Sequence, residues 1–179
     1  MKTKDEGEIW LNPGEIGWGG ERVRIKTVLG SCVSLCFWHP HLRVGGMAHY
    51  MLPDRMHGVP GEDGRYASEA YEVMLRQMKQ LHTRPQEYMT KLFGGASVLA
   101  GLNPPDAQVS AQRARAASVD VGLRNIEAAH GLVQARNLNL ISSDLGGNVY
   151  RRVIFDLSNG DVWLQRLPLV QEKRKEARK

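Results

Sequence analysis

Val33-Ser34-Leu35-Cys36-Phe37-Trp38, then His39-Pro40-His41-Leu42, then the run from Arg43 to Leu52 form the stretch whose periodicity decides the fold. Val33, Leu35 and Phe37 alternate with Ser34, Cys36 and Trp38, a period of two that fits a strand and not a helix. His39 to Leu42 reads as a turn, and Arg43 to Leu52 as a second strand whose small residues permit close backbone approach. Taking His39 to Leu42 as the connection sets Trp38 against Arg43 and, counting outward, Cys32 against His49. Directly opposed residues have Cβ atoms about 4.5–5.5 Å apart, a separation at which a thiol and an imidazole can meet. A slip of one residue would send the two side chains to opposite faces.

On the N-terminal side, Arg22 to Cys32 is extended in character and follows a Gly/Pro-rich stretch from Asn12 to Gly20. On the C-terminal side, Pro53 to Gly64 has the composition of a loop. A helix is expected over Tyr66 to Leu81, where Ala67, Ala70, Tyr71, Met74, Met78 and Leu81 recur at helical spacing as a core stripe. Glu87 to Phe93 reads as a short strand leading into Gly94-Gly95-Ala96. Ser97 to Ala107 is interrupted by Pro104-Pro105, Ser110 to Ser118 reads as a short Ala/Arg-rich helix, and Gly122 to Arg136 as a longer one with Leu123, Ile126, Ala129 or His130 and Val133 on one side. Three further strands, Leu138 to Ser143, Tyr150 to Leu157 and Asp161 to Leu167, complete the pattern, the last two joined by Ser158-Asn159-Gly160. Interleaved strands and helices predict a layered α/β domain.

The 179-residue chain is long enough for one domain with a substantial core. Its formal net charge is +5, of which the five basic and two acidic residues from Gln171 to Lys179 supply +3, so the charge reads as a solvated tail and not as a nucleic-acid surface. There is no apolar run near the roughly 20 residues that span a bilayer, and Met1 to Glu6 lacks a signal-peptide core, which makes cytoplasm the expected compartment and membrane insertion unexpected. Cys32 and Cys36, four apart in an extended segment, are separated by about 13 Å, too far for a disulfide. No metal-ligand spacing, dinucleotide fingerprint or phosphate loop is present, and Asp54, Glu62 and Asp63 are loop carboxylates without a paired partner, which leaves glycosidase chemistry little support.

What chemistry remains is a thiol and an imidazole. His49 can accept the Cys32 proton and later protonate a leaving group, and backbone N–H groups between Gly30 and Val33 can stabilise a negative carbonyl oxygen. A third polar group must orient the ring; Thr27 and Ser31 are the nearby candidates. Packing roles are the competing reading for both residues. Cys36 reads as core, and His39 and His41 lie at the distal turn.

Thr27-Val28-Leu29-Gly30-Ser31-Cys32-Val33 and Gly45-Gly46-Met47-Ala48-His49-Tyr50-Met51-Leu52-Pro53, with Lys91-Leu92-Phe93-Gly94-Gly95-Ala96, Asp144-Leu145-Gly146-Gly147-Asn148 and Arg151-Arg152, resemble the CheD family of bacterial chemoreceptor glutamine deamidases. The resemblance runs from about Asn12 to Leu167. It implies a layered α/β sandwich with antiparallel or mixed sheets and helices packed outside. It divides the chain into a flexible N-terminal segment (1–11), the deamidase domain (12–167) and a basic tail (168–179). The activity implied is hydrolysis of chosen glutamine side chains on methyl-accepting chemoreceptors through a cysteine thioester, with the family nucleophile falling on Cys32, its histidine on His49 and its threonine on Thr27. No cofactor is implied. The partners implied are chemoreceptor cytoplasmic helices and a CheC-type phosphatase. Glutamyl methylester hydrolysis by the same thiol, or a catalytically silent receptor-binding adaptor, are the alternatives.

Overall fold

A computed structural model describes residues 1–55, 61–97 and 121–168. Its centre is the hairpin of the alternating stretch, β5 (Val33–His39) and β6 (Val44–Tyr50). Every residue of β5 is buried because other elements cover both of its faces. One face, Val33, Leu35 and Phe37 with Ala48 and Tyr50 of β6, packs under the helices α1 (Ala67–Gln80) and α2 (Val121–Ala135). The other, with Cys36, Trp38 and Met47, packs against a second sheet. A strand covered on both sides can be apolar on both, which is why the alternation at Cys36 and Trp38 is incomplete.

The remaining strands are β1 (Lys2–Lys4), β2 (Gly7–Trp10), β3 (Ile16–Gly19), β4 (Val23–Leu29), β7 (Met89–Gly94), β8 (Asn139–Leu145), β9 (Val149–Asp156) and β10 (Val162–Pro168). A six-stranded sheet runs β1-β3-β6-β5-β7-β8 and a four-stranded one β10-β9-β4-β2. Both are mixed, with parallel pairs β1–β3, β2–β4 and β7–β8 among antiparallel neighbours. The product is a three-layer sandwich of helices, large sheet and small sheet, the expected α/β architecture.

The hairpin register differs from the expected one. Arg43 N–H donates to the His39 carbonyl at 2.9 Å and Arg43 takes a left-handed φ of 49°, so the loop is Pro40 to Arg43 and His39 pairs with Val44. Ser34, not Cys32, therefore stands opposite His49, and Trp38 stands opposite Gly45. Moving the loop by one residue moves each partner by two, which preserves the face. Cys32 and His49 thus remain on one side of the hairpin, a diagonal step apart.

The segment expected to be flexible, 1–11, contributes β1 and β2 and buries Ile9 and Leu11 in the inter-sheet core. In α2 the buried stripe is Gly122, Asn125 and Ala129, while Leu123 and His130 face solvent. In α1 the polar Glu69 is buried, its carboxylate paired with Arg55 and accepting from the Asp63 N–H. The stretch expected to be irregular (97–107, beyond Ser97), the helix expected at 110–118, and the basic tail beyond Pro168 lie outside the described residues. Among the described residues no helix is long and apolar enough to cross a membrane.

Candidate active site

Thr27, Cys32 and His49 come from the place where the chain changes sheets. Thr27 points inward from β4 of the small sheet, and His49 inward from β6 of the large one; both are fully buried. Residues 30–32 carry the chain from β4 across to β5, and Cys32 on that crossing is half-buried.

One hydrogen bond ties the sheets together at this point. Thr27 Oγ1 lies 2.8 Å from His49 Nδ1 and 2.9 Å from the Leu11 carbonyl oxygen. A carbonyl can only accept, so the single hydroxyl proton of Thr27 goes to Leu11 and Oγ1 accepts the proton on Nδ1. His49 is thereby held as the Nδ1–H tautomer with the lone pair on Nε2. That nitrogen is buried and has no hydrogen-bond partner among the described residues. Burial lowers the His49 pKa from 6.5 to about 4, opposed by the Leu11 carbonyl and the Glu15 charge. Burial also raises the Cys32 thiol, while its own backbone N–H pulls the other way. At neutral pH the thiol and the imidazole therefore both rest neutral.

Of the two candidate orienting residues, only Thr27 bonds the ring; Ser31 instead offers its carbonyl to the Asn125 side chain at 2.9 Å. Cys36 is fully buried, its thiol pushed up by desolvation, as suits a packing residue. His39 accepts the Leu42 N–H and stands edge-on to Tyr88 at the far end of the hairpin. Among the described residues no cluster of His, Cys, Asp and Glu could hold a metal ion.

The two glycine motifs hold the crossing from behind. The Gly95 and Ala96 N–H groups donate to the carbonyls of Cys32 and Gly30, each at 2.8 Å. The Gly146 N–H donates to Gly94 at 2.9 Å, and the Gly146 carbonyl in turn accepts from Arg151, a buried guanidinium paired with Asp144. Gly94 has a φ of +115°, and a Cβ there would sit 2.2 Å from the Cys32 carbonyl oxygen. Gly94→Ala is accordingly expected to destabilise the protein by about 3 kcal/mol through strain and backbone clash, read as a lowered midpoint in urea unfolding. An unchanged midpoint would mean that the crossing can move away from β7.

Two contributors were missed by sequence reasoning, the Leu11 carbonyl and Asn125. For Asn125 the signal was present, a polar side chain on the buried stripe of a helix. For Leu11 there was none, because a backbone carbonyl carries no residue signature.

The fold and this geometry define a class: α/β sandwiches with a candidate thiol–imidazole hydrolase site where the chain crosses between two sheets. Within that class the chain belongs to the CheD family, whose family model, described as CheD chemotactic sensory transduction, matches residues 51–166. It is 43% identical over 158 residues to the probable chemoreceptor glutamine deamidase CheD 3 of Dechloromonas aromatica, covering 88% of this chain and 86% of that one. To the probable chemoreceptor glutamine deamidase CheD of Pseudomonas syringae pv. tomato it is 40% identical over 167 residues, 93% and 94% of the two chains. A relative of the same description from Leptospira interrogans serovar Lai is 36% identical over 162 residues, covering 89% of this chain and 92% of that one.

Proposed function

We propose that the protein is a cytoplasmic protein-glutamine glutaminase that deamidates glutamine side chains on the cytoplasmic helices of chemoreceptors, with Cys32 as nucleophile, His49 as base and then acid, and Thr27 as the residue that orients His49. The observation that carries the reading is the Thr27–His49 hydrogen bond, which fixes the tautomer and leaves Nε2 as the basic nitrogen. Membership of a family whose relatives are described as chemoreceptor glutamine deamidases supplies the substrate class.

Cys32 sulfur bonds to the glutamine carboxamide carbon as its proton passes to His49 Nε2, and the carbonyl electrons move onto oxygen. Collapse of that oxyanion breaks the C–N bond, and the proton on Nε2 leaves with ammonia. Water then attacks the thioester with His49 accepting its proton, and the free thiol and a glutamate side chain are released. The new carboxylate changes the charge of a receptor helix and so biases signalling. A CheC-type phosphatase is the second proposed partner, on family grounds. The chain needs no metal or organic cofactor in this scheme.

The test is incubation of the purified protein with a chemoreceptor cytoplasmic fragment, following glutamine-to-glutamate conversion site by site in the mass spectrometer. Conversion by the native protein and by Thr27→Ser, with a loss on the order of 10²-fold in Thr27→Val, is the expected pattern. Full activity in Thr27→Val would remove Thr27 from the scheme, hydrolysis of methyl esters alone would make the protein an esterase, and binding without conversion would make it an adaptor.

A further inference from the structure

Asn125 is the one asparagine buried in the described part of the protein, and it sits on α2 facing the crossing that carries Cys32. Its side-chain nitrogen donates to two backbone carbonyls, Ser31 at 2.9 Å and Met51 at 2.8 Å. Both neighbours are acceptors, so only the NH2 end of the amide can face them. The same residue's backbone carbonyl accepts from the Tyr50 hydroxyl at 2.8 Å, which fixes the helix against β6. One side chain thus joins the residue before Cys32 to the residue two beyond His49.

Its other end argues against a merely structural role. Asn125 Oδ1 is buried with no partner among the described residues, an arrangement that costs free energy an apolar residue of similar size would avoid. The two donor contacts are what the asparagine provides in exchange, and each has a directional consequence. In a planar trans peptide the carbonyl and the following N–H point in opposite directions. Holding the Ser31 carbonyl on the α2 side therefore turns the Cys32 N–H away from α2. The Ala96 and Gly95 N–H groups fix the peptide planes on either side in the same manner, through Gly30 and Cys32.

We propose that Asn125 is a positioning residue of the thiol site: by holding the Ser31 carbonyl it aims the Cys32 N–H at the oxygen that becomes negative when Cys32 attacks a carbonyl. The proposal rests on Cys32 being the nucleophile. As the sulfur–carbon bond forms, the carbonyl electrons move to oxygen, and a fixed N–H stabilises that charge without having to reorganise. Asn125 itself touches neither substrate nor sulfur in this scheme.

The experiment compares the native protein with Asn125→Ala and the isosteric Asn125→Asp on two reactions of the same thiol. Deamidation of a receptor fragment passes through an oxyanion; alkylation of Cys32 by iodoacetamide does not. Expected is a fall in kcat on the order of 10²-fold with KM nearly unchanged, while the alkylation rate stays within a few-fold of native. An unchanged kcat, or an alkylation rate falling in step with kcat, overturns the proposal. Should neither variant melt cooperatively, the native protein decides. On forming a hemithioacetal with a peptide aldehyde, the Cys32 amide proton should move downfield in the NMR spectrum, and an unmoved proton overturns the proposal. If the native protein converts no glutamine at all, it is the deamidase reading that fails, and the amide resonance still reports on the Cys32 N–H that Asn125 is proposed to aim.

Discussion

Cys32→Ala is expected to reduce receptor deamidation by about 10⁴-fold or more, because in the proposed mechanism it removes the atom to which the acyl group is transferred and leaves no second thiol in reach. Cys36, the other cysteine, lies four residues further along β5, fully buried, with its thiol held protonated by desolvation. It cannot substitute. Cys32→Ser should be nearly as inactive, since a serine hydroxyl is far harder to ionise beside an imidazole whose own pKa is depressed to about 4. Neither change should unfold the protein: Cys32 is half-buried on a crossing whose backbone is held by Gly95, Ala96 and Asn125, so a shift within about 1 kcal/mol is expected. Rates from mass spectrometry set beside thermal melts separate the two effects. Undiminished conversion by Cys32→Ala would sink the covalent mechanism.

His49→Gln should lower kcat on the order of 10²- to 10⁴-fold, the usual worth of a positioned general base, and it should also change how stability depends on pH. The sign follows from the depressed pKa. The unfolded chain binds a proton at this residue below its ordinary value of 6.5, whereas the folded protein resists binding it until about 4. Protons therefore favour the unfolded state between those limits, so the stability His49 contributes is fully present above pH 6.5 and is lost as pH falls toward 4. The loss across that window is about 3 kcal/mol. Urea denaturation of the native protein from pH 7 to pH 4 should show this decline, and the glutamine variant a shallower one. The residual slope belongs to carboxylates such as Asp144 and Asp156, whose ion pairs with arginines also weaken on protonation. Identical slopes in the two proteins would show that His49 is not held neutral by burial.

The glycine motifs illustrate how far a sequence can be read. Gly94-Gly95-Ala96 and Gly146-Gly147 were legible as turns, and their ordered recurrence with the Cys/His spacing pointed to the family. That their backbone groups form one chain of hydrogen bonds ending on the carbonyls of Gly30 and Cys32 was not legible. The bonds join residues more than fifty positions apart through main-chain atoms that every residue possesses. The N-terminal strands were missed for another reason: β1 is three exposed residues and β2 buries one of four, too short for a period of two to register.

By itself the sequence determined the side to which each residue of the central hairpin faces, and so that Cys32 and His49 share a face. A period of two survives any even shift of register, and the shift that the Arg43 turn imposed was even. The spans of α1 and α2, the class of fold and the family were likewise in the sequence. Only the tertiary structure decided that Ser34 stands opposite His49, that Thr27 reaches the imidazole from the other sheet, and that Asn125 grips the crossing from α2. Periodicity reports inside from outside; which inward groups meet depends on how two sheets and a helix stack, and that is settled by packing among residues distant in the chain.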